Sequence, residues 1–150
     1  MGPCLSQLKA YRRHTDVDID ASVHVFWDHE NIATAADNTP ERIMAAVKRT
    51  FPRLHLHPLP VINVYRVHHS EQVSKKLSQQ GCRLLYCPKF TSGQKEVVDN
   101  HIMNDMWRLV VEKRHVVVVL ISNDSDFMHT MRSIGMLPHV TTLQCCTKRA

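Results

Sequence analysis

The chain has 150 residues, of which 43% are hydrophobic and 22% charged, a balance typical of a globular domain that buries a sizeable core. The formal net charge of +5 permits a polyanionic partner, whereas an aromatic content of 6% argues against a broad platform for stacking bases. No apolar run is long enough to cross a membrane and the polar N-terminus lacks a secretory signal, so we expect a cytoplasmic or nuclear protein that is not secreted and has no membrane partner.

The N-terminal part of the chain shows no clear periodicity. Residues 1–21 are therefore expected to be a loosely ordered lead-in to one domain over residues 22–146. A first strand is predicted at residues 22–27, and Asp28 follows it directly. A helix that begins with a capping threonine and a proline is predicted over residues 39–51.

The middle of the chain alternates between predicted strands and predicted helices. Strands are predicted at residues 61–67 and 82–87, and the helix between them, at residues 70–80, ends at Gly81. A long helix is predicted at residues 94–113, because apolar residues recur there at helical spacing.

The strand predicted at residues 116–121 contains four valines, a leucine and an isoleucine in an unbroken run. Such a run suits a strand buried on both faces, at the centre of a parallel sheet. It is followed by Ser-Asn-Asp at residues 122–124, residue types that cap helices, and by Asp126 in the first turn of the next helix.

A last strand at residues 137–145 and a tail at residues 147–150 complete the chain. Strands that alternate with helices indicate a parallel sheet with right-handed crossovers and helices on both faces. The predicted fold class is therefore α/β: a single-domain, Rossmann-like three-layer α/β/α sandwich with a mainly parallel sheet of about five strands.

Four aspartates fall where this architecture places the carboxyl ends of strands: Asp28, Asp99, Asp124 and Asp126. If the first and fourth predicted strands are neighbours where the winding reverses, Asp28 and Asp124 lie side by side, and the long helix brings Asp99 to the same edge. Crowded carboxylates repel one another, and a divalent cation relieves that repulsion. Oxygen ligands without Cys or His suit Mg²⁺ or Mn²⁺, so we expect all four acids to be catalytic and metal-binding.

Other chemistries fit these residues less well. The cysteines form no CxxC pair and the histidines no HExxH helix, which disfavours zinc, and four glycines build neither a dinucleotide turn nor a P-loop. An aspartate-nucleophile phosphatase needs an aspartate where Glu30 stands. A Toprim-like DNA-processing phosphotransferase shares the spacing of Asp124 and Asp126 but expects a glutamate at the position of Asp28; it stays open as a third alternative.

Asp105 lies about 120° around the long helix from Asp99, on the apolar stripe, and should face inward or sit at the rim of the site. We expect it to support the site by orienting Asn31, a backbone group or a metal-bound water. A plain buried hydrogen bond is equally open. Three cations near the ends of the second and third predicted strands are expected to hold the phosphate backbone of a nucleic acid: Lys89, Lys95 and Arg66.

The chain resembles the NYN domains, a branch of the PIN-like nucleases. The resemblance rests on Phe-Trp-Asp-His-Glu-Asn at residues 26–31, on Lys-Glu-Val-Val-Asp at residues 95–99 and on Ser-Asn-Asp-Ser-Asp-Phe at residues 122–127. It implies a PIN-like fold and a metal-dependent endoribonuclease, in which a metal-activated water hydrolyses the phosphodiester bonds of single-stranded RNA and leaves a 5′-phosphate.

The resemblance also implies roles for individual residues. The four aspartates look like the metal-binding acids, and further residues look like supporting ones: Asn31, Asp105, Ser122 and Asn123. Position 123 is Asn where many members have Gly. The expected partner is single-stranded RNA, with a homodimer or other protein domains open as further partners. The main alternative is a non-catalytic NYN-like module that binds RNA or a protein.

Overall fold

The computed structural model of this chain describes six segments, and for residues 5–10 and 94–96 it describes the backbone alone. The segments are residues 5–10, 20–34, 38–56, 60–67, 70–87 and 94–147. Their strands are β1 (Leu5–Ala10), β2 (Ser22–Asp28), β3 (Val61–Arg66), β4 (Arg83–Tyr86), β5 (Val116–Ile121) and β6 (Val140–Thr147). Their α-helices are α1 (Pro40–Thr50), α2 (Glu71–Gln79), α3 (Gln94–Glu112) and α4 (Met128–Gly135).

The strands form one six-stranded sheet in the order β1-β6-β5-β2-β3-β4. Five of these strands pair in parallel, and β1 alone runs antiparallel to its neighbour β6. From β2 the chain winds outward through β3 to β4, and then returns to the other side of β2 to form β5 and β6. The winding therefore reverses between β2 and β5, where a doubly wound sheet opens a crevice at its carboxyl edge.

Helices cover both faces of the sheet, as expected for a three-layer α/β/α sandwich. On one face, α1 and α2 contribute Ile43, Val47 and Leu77 to a core that includes Trp27. On the opposite face, α3 and α4 pack on a second core. The predicted α/β fold class with a mainly parallel sheet is thus confirmed. Among the described residues, no helix is long and apolar enough to cross a membrane.

Strand β5 lies in the middle of the sheet, and each of its six residues is buried. Alternate side chains serve the two cores: Val117, Val119 and Ile121 belong to the core under α1 and α2, and the other three belong to the core under α3 and α4. The unbroken apolar run is therefore explained by burial on both faces, because a strand alternates its side chains between the two sides of a sheet.

The prediction of a loosely ordered lead-in over residues 1–21 is wrong for Leu5–Ala10, which form β1. The backbone of β1 pairs with β6 from Leu143 to Thr147, with an irregularity between Leu5 and Gln7. An edge strand gains much of its stability from backbone hydrogen bonds to its neighbour, so its sequence need not alternate and periodicity cannot reveal it. Strand β6 also ends later than predicted, at Thr147.

Deletion of residues 1–10 tests the role of β1. The deletion removes five residue pairs from the sheet and uncovers the edge of β6, whose residues are all buried. At about 1 kcal/mol per backbone hydrogen bond, we expect the free energy of unfolding to fall by several kcal/mol, and the exposed edge to promote association. Thermal melting and light scattering measure both effects; an unchanged melting temperature and a monodisperse sample would contradict the assignment.

Candidate metal centre

Asp28 is the last residue of β2 and lies at the carboxyl edge of the sheet, in register with Tyr65 of β3. Its side chain is buried, and Oδ2 accepts a hydrogen bond from the Ser122 hydroxyl at 3.1 Å. Burial raises the pKa of Asp28; the Ser122 hydrogen bond opposes this rise, and the negative charge of Asp124 adds to it. Asp28 is thus a buried acid within the electrostatic reach of a second one.

Ser122 follows β5 and connects two of the predicted acids. Its side chain is fully buried; the hydroxyl donates to Asp28 and accepts from the backbone N–H of Asp124 at 3.1 Å. Its carbonyl oxygen accepts from Gln144 Nε2 at 2.9 Å and from Cys146 Sγ at 3.4 Å. Ser122 is therefore held from β6 while it orients Asp28 toward the loop that carries Asp124.

Asp124 and Asp126 lie in the turn after β5, at the start of the next helical segment. Asp124 is the N-cap of a 3₁₀ turn, Ser125–Phe127, and its Oδ1 accepts from the backbone N–H of Asp126 at 2.9 Å. The predicted capping role of this stretch is confirmed, because side-chain oxygens satisfy N–H groups at the start of a helix. The same bond holds the Asp124 carboxylate at the edge of the sheet.

The structure brings three of the four predicted acids together: Asp99, Asp124 and Asp126. Each offers one carboxylate oxygen, and these oxygens lie within 4.8 Å of one another. Asp99 and Asp124 are buried, whereas Asp126 is exposed. The fourth acid, Asp28, lies outside this cluster of three and is linked to it through Ser122.

The donor set of this cluster fits a hard divalent cation. All three candidate ligand atoms are carboxylate oxygens, the type that Mg²⁺ and Mn²⁺ prefer. Because these oxygens lie within 4.8 Å of one another, all three could contribute to binding one cation. Two buried carboxylates and one exposed carboxylate also leave a side open to solvent, as a catalytic centre requires.

Asn31 and Asn123 join the loops that follow β2 and β5. Asn31 Oδ1 accepts from the backbone N–H of Asn123 at 2.7 Å. The Asn123 side chain in turn donates to the Thr147 hydroxyl at 2.6 Å and accepts from the Thr147 backbone N–H at 2.8 Å. No described residue other than glycine has a positive φ, so position 123 does not need Gly, and Asn adds two bonds to the end of β6.

Asp105 makes a hydrogen bond to a tyrosine. Its Oδ2 accepts from the Tyr65 hydroxyl at 2.7 Å, and Tyr65 is almost completely buried. Burial, together with this hydrogen bond, raises the pKa of Tyr65, so its hydroxyl stays protonated and donates. Of the two roles left open for Asp105, the structure shows the hydrogen bond within the protein.

The structure describes the side chain of one of the three residues expected to contact the phosphate backbone. Arg66 is 4% exposed and its Nη1 donates to Ser74 at 2.8 Å, so its guanidinium is buried and the prediction of a direct phosphate contact is wrong for it. A long arginine at a strand end reaches inward as readily as outward, and sequence spacing does not separate the two. Lys95 lies in the first turn of α3, but its side chain is outside the described part, and Lys89 lies outside the described residues altogether.

Several residues that shape the site were not identified from the sequence. His29 is buried beside Trp27 and accepts from the Thr34 backbone N–H through Nε2 at 3.1 Å, which folds the loop after β2 on itself. Burial and the nearby charge of Arg66 lower the pKa of His29 to about 4. Tyr65 in β3 and Gln144 in β6 were missed as well, and their sequence signal is a polar side chain inside a strand; His29, in a polar loop, carries no such signal.

Replacement of Ser122 by alanine tests its role between the acids. The variant leaves the buried Asp28 carboxylate and the Asp124 N–H without this hydroxyl, and we expect the free energy of unfolding to fall by about 1–3 kcal/mol. Ser133→Ala is the matched control, because the Ser133 hydroxyl donates to His129 O in an exposed bond within α4, and it should change stability by less than about 0.5 kcal/mol. Urea unfolding compares the two; equal losses would argue against a special role for Ser122.

Comparison with known proteins agrees with the architecture of the site. The sequence model of the NYN domain matches residues 22–141, which is most of the chain and includes all four acids. No curated protein matches the chain. The match begins at the first residue of β2 and ends inside β6, so it contains the reversal of the winding and both loops that carry the acids. The chain therefore belongs to the NYN domain family, within the PIN-like nuclease superfamily, and this membership suggests a nuclease-like function.

Proposed function

We propose that this protein is a Mg²⁺- or Mn²⁺-dependent endoribonuclease that hydrolyses single-stranded RNA. The observation that carries the proposal is the cluster of carboxylates from Asp99, Asp124 and Asp126, at the edge of the sheet where the winding reverses. Membership of a nuclease superfamily supports phosphodiester hydrolysis as the chemistry at this edge. RNA as the substrate, and Mg²⁺ or Mn²⁺ as the cation, are parts of this proposal.

The electrostatics of the site support a metal-dependent reaction. Carboxylates placed this close together repel one another, and their negative charge also repels an approaching phosphate. A divalent cation held by Asp99, Asp124 and Asp126 would supply Lewis acidity, lower the pKa of a water and offset the charge that develops on the phosphate. That cation would offset most of the negative charge of the cluster and offer a direct ligand position to a phosphate oxygen.

The residues around the cluster have separate tasks in this proposal. Asp28 supplies a fourth carboxylate, and its orientation is set by the Ser122 hydroxyl. Asn31 and Asn123 hold the two acid-bearing loops at a fixed separation through the bond between Asn31 Oδ1 and the Asn123 N–H. Exposed Asp126 lies on the solvent side of the cluster, where substrate has access. Lys89 and Lys95 stay predicted phosphate contacts.

The net charge of +5 is compatible with a polyanionic substrate, although the acids are gathered at one edge. Single-stranded RNA exposes its phosphates and its bases together, so its backbone is accessible to a site at the edge of a sheet. We expect cleavage within the strand that leaves a 5′-phosphate, as proposed for a water that attacks phosphorus.

Asp124→Asn tests the proposal directly. The variant keeps the shape of the side chain, including an oxygen that can accept from the Asp126 N–H, but removes one negative charge from the cluster. We expect metal-dependent cleavage of a fluorescent single-stranded RNA to fall more than about a hundredfold, since even outer residues of metal sites cost 10–100-fold. RNA binding should be largely retained, because the substitution removes a negative charge. EDTA should abolish cleavage by the unmodified protein.

Asp20→Asn is the matched control, because exposed Asp20 lies just before β2, at the opposite edge of the sheet, and should keep full activity. Single-stranded DNA of the same sequence, assayed in parallel, separates a ribonuclease from a DNA-processing phosphotransferase. Cleavage that survives Asp124→Asn or EDTA would refute the proposal. RNA binding without any metal-dependent product would instead favour the non-catalytic module.

A further inference from the structure

Helix α3 carries two carboxylates that have different surroundings. Asp99, near its start, is buried and joins the acids of the cluster. Asp105, six residues later, accepts a hydrogen bond from the Tyr65 hydroxyl at 2.7 Å. Six residues correspond to about 9 Å along the axis of an α-helix and to about 120° around it. The two acids therefore lie on different sides of one rigid element, one facing the cluster and one bonded to β3.

Tyr65 is fixed to the part of the sheet that presents Asp28. It pairs with Asp28 in the parallel register of β2 and β3, and its carbonyl oxygen accepts from the backbone N–H of His29 at 3.2 Å. Its ring is buried and stacks with Phe26, with 6.3 Å between the ring centroids and 23° between the planes. The hydroxyl thus projects from a surface that has little freedom to move.

The Tyr65 hydroxyl is a polar contact between this fixed surface and the middle of α3, and a second one lies near the end of the helix, where His139 Nε2 bonds to Val110 O at 2.7 Å. The remaining contacts between α3 and the sheet include Val98, Ile102 and Met106, which pack in the second core. Apolar contacts are not directional, so they tolerate small rotations of a helix, whereas a hydrogen bond is directional. At a distance of about 6 Å from the axis, a rotation of ~10° moves a side chain by about 1 Å. A shift of that size matters at a reactive centre.

We propose that Tyr65 is a positioning residue, whose hydrogen bond to Asp105 sets the rotation of α3 and thereby holds the Asp99 carboxylate beside Asp124 and Asp126. The inference rests on the proposed function, because it assumes that the cluster binds a divalent cation. It assigns Asp105 to the placement of the helix and not to the cation itself. One hydrogen bond then links the strand beside Asp28 to the helix that bears Asp99.

Tyr65→Phe tests this role without a change of charge, since it removes only the hydroxyl. We expect the affinity for Mn²⁺, measured by calorimetry with the metal alone, to fall about tenfold, at the lower end of the loss seen when outer residues of metal sites are removed. Tyr86→Phe is the matched control. It removes a tyrosine hydroxyl that bonds at a similar distance, 2.6 Å to Ser74 Oγ, from the neighbouring strand β4 and toward α2. Its Mn²⁺ affinity should be unchanged.

A second pair of variants keeps the test independent of Tyr65 packing. Asp105→Asn retains an oxygen that can accept from Tyr65, whereas Asp105→Ala does not, and both remove the same charge. We expect Asp105→Asn to bind Mn²⁺ more tightly than Asp105→Ala. The double variant Tyr65→Phe with Asp105→Ala should bind no more weakly than Asp105→Ala alone, because one shared bond has been lost.

The outcomes separate the inference from the proposed function. Weaker Mn²⁺ binding by Tyr65→Phe, in a protein that cleaves no RNA, supports the positioning role and refutes the nuclease. Unchanged Mn²⁺ affinity in Tyr65→Phe, even with a lower melting temperature, means that the bond is merely structural and overturns the inference, whatever happens to cleavage. Absence of Mn²⁺ binding by the unmodified protein overturns both.

Discussion

The parallel pairing of β2 with β5 is the constraint on which the site depends. In this register Trp27 lies opposite Ile121, so Asp28 at the end of β2 and Ser122 just after β5 emerge at the same level of the carboxyl edge. Asp28 and Ser122 each lie two residues after a residue of the core under α3, Phe26 and Leu120 respectively. Because side chains alternate along a strand, both face α3. A slip of one residue would turn one partner to the opposite face and break the bond between them. The apolar side chains that set this register therefore also set the separation of the polar ones.

The packing of α3 on the sheet brings Asp99 to the same edge. Asp99 lies on α3, which docks on the opposite face from α1 and α2 and reaches the edge only after the chain has crossed the sheet. Asp99 is far from Asp124 and Asp126 in sequence, so the cluster does not exist in the unfolded chain. A cation that binds such a cluster binds the folded state alone, and its binding free energy adds to stability. Folding and assembly of the site are one event.

The sequence was sufficient to predict the parts of the site that depend on strand order and strand ends. The apolar run of β5, and the acids at the carboxyl ends of two predicted strands, placed Asp28 and Asp124 at one edge. The NYN resemblance is confirmed by the family match. The sequence was not sufficient to predict features that depend on how distant segments pack together. Strand β1 has little pattern of its own, Arg66 turns inward to Ser74, and Tyr65 finds Asp105 across a helix packing angle that no periodicity encodes.

At the acid cluster, hydrogen bonds that stabilise the fold also hold negatively charged side chains close together. Most polar groups near it are satisfied in ways that stabilise the chain: Asp124 caps a turn, Asn123 closes the end of β6, and Ser122 donates to Asp28. Yet the same bonds hold like charges together, and burial raises the pKa of Asp28. A fold selected for stability alone would separate such groups, and natural proteins break this rule mainly at functional sites. The bonds that hold these like charges together are thus the strongest physical support for the proposed cation at this edge.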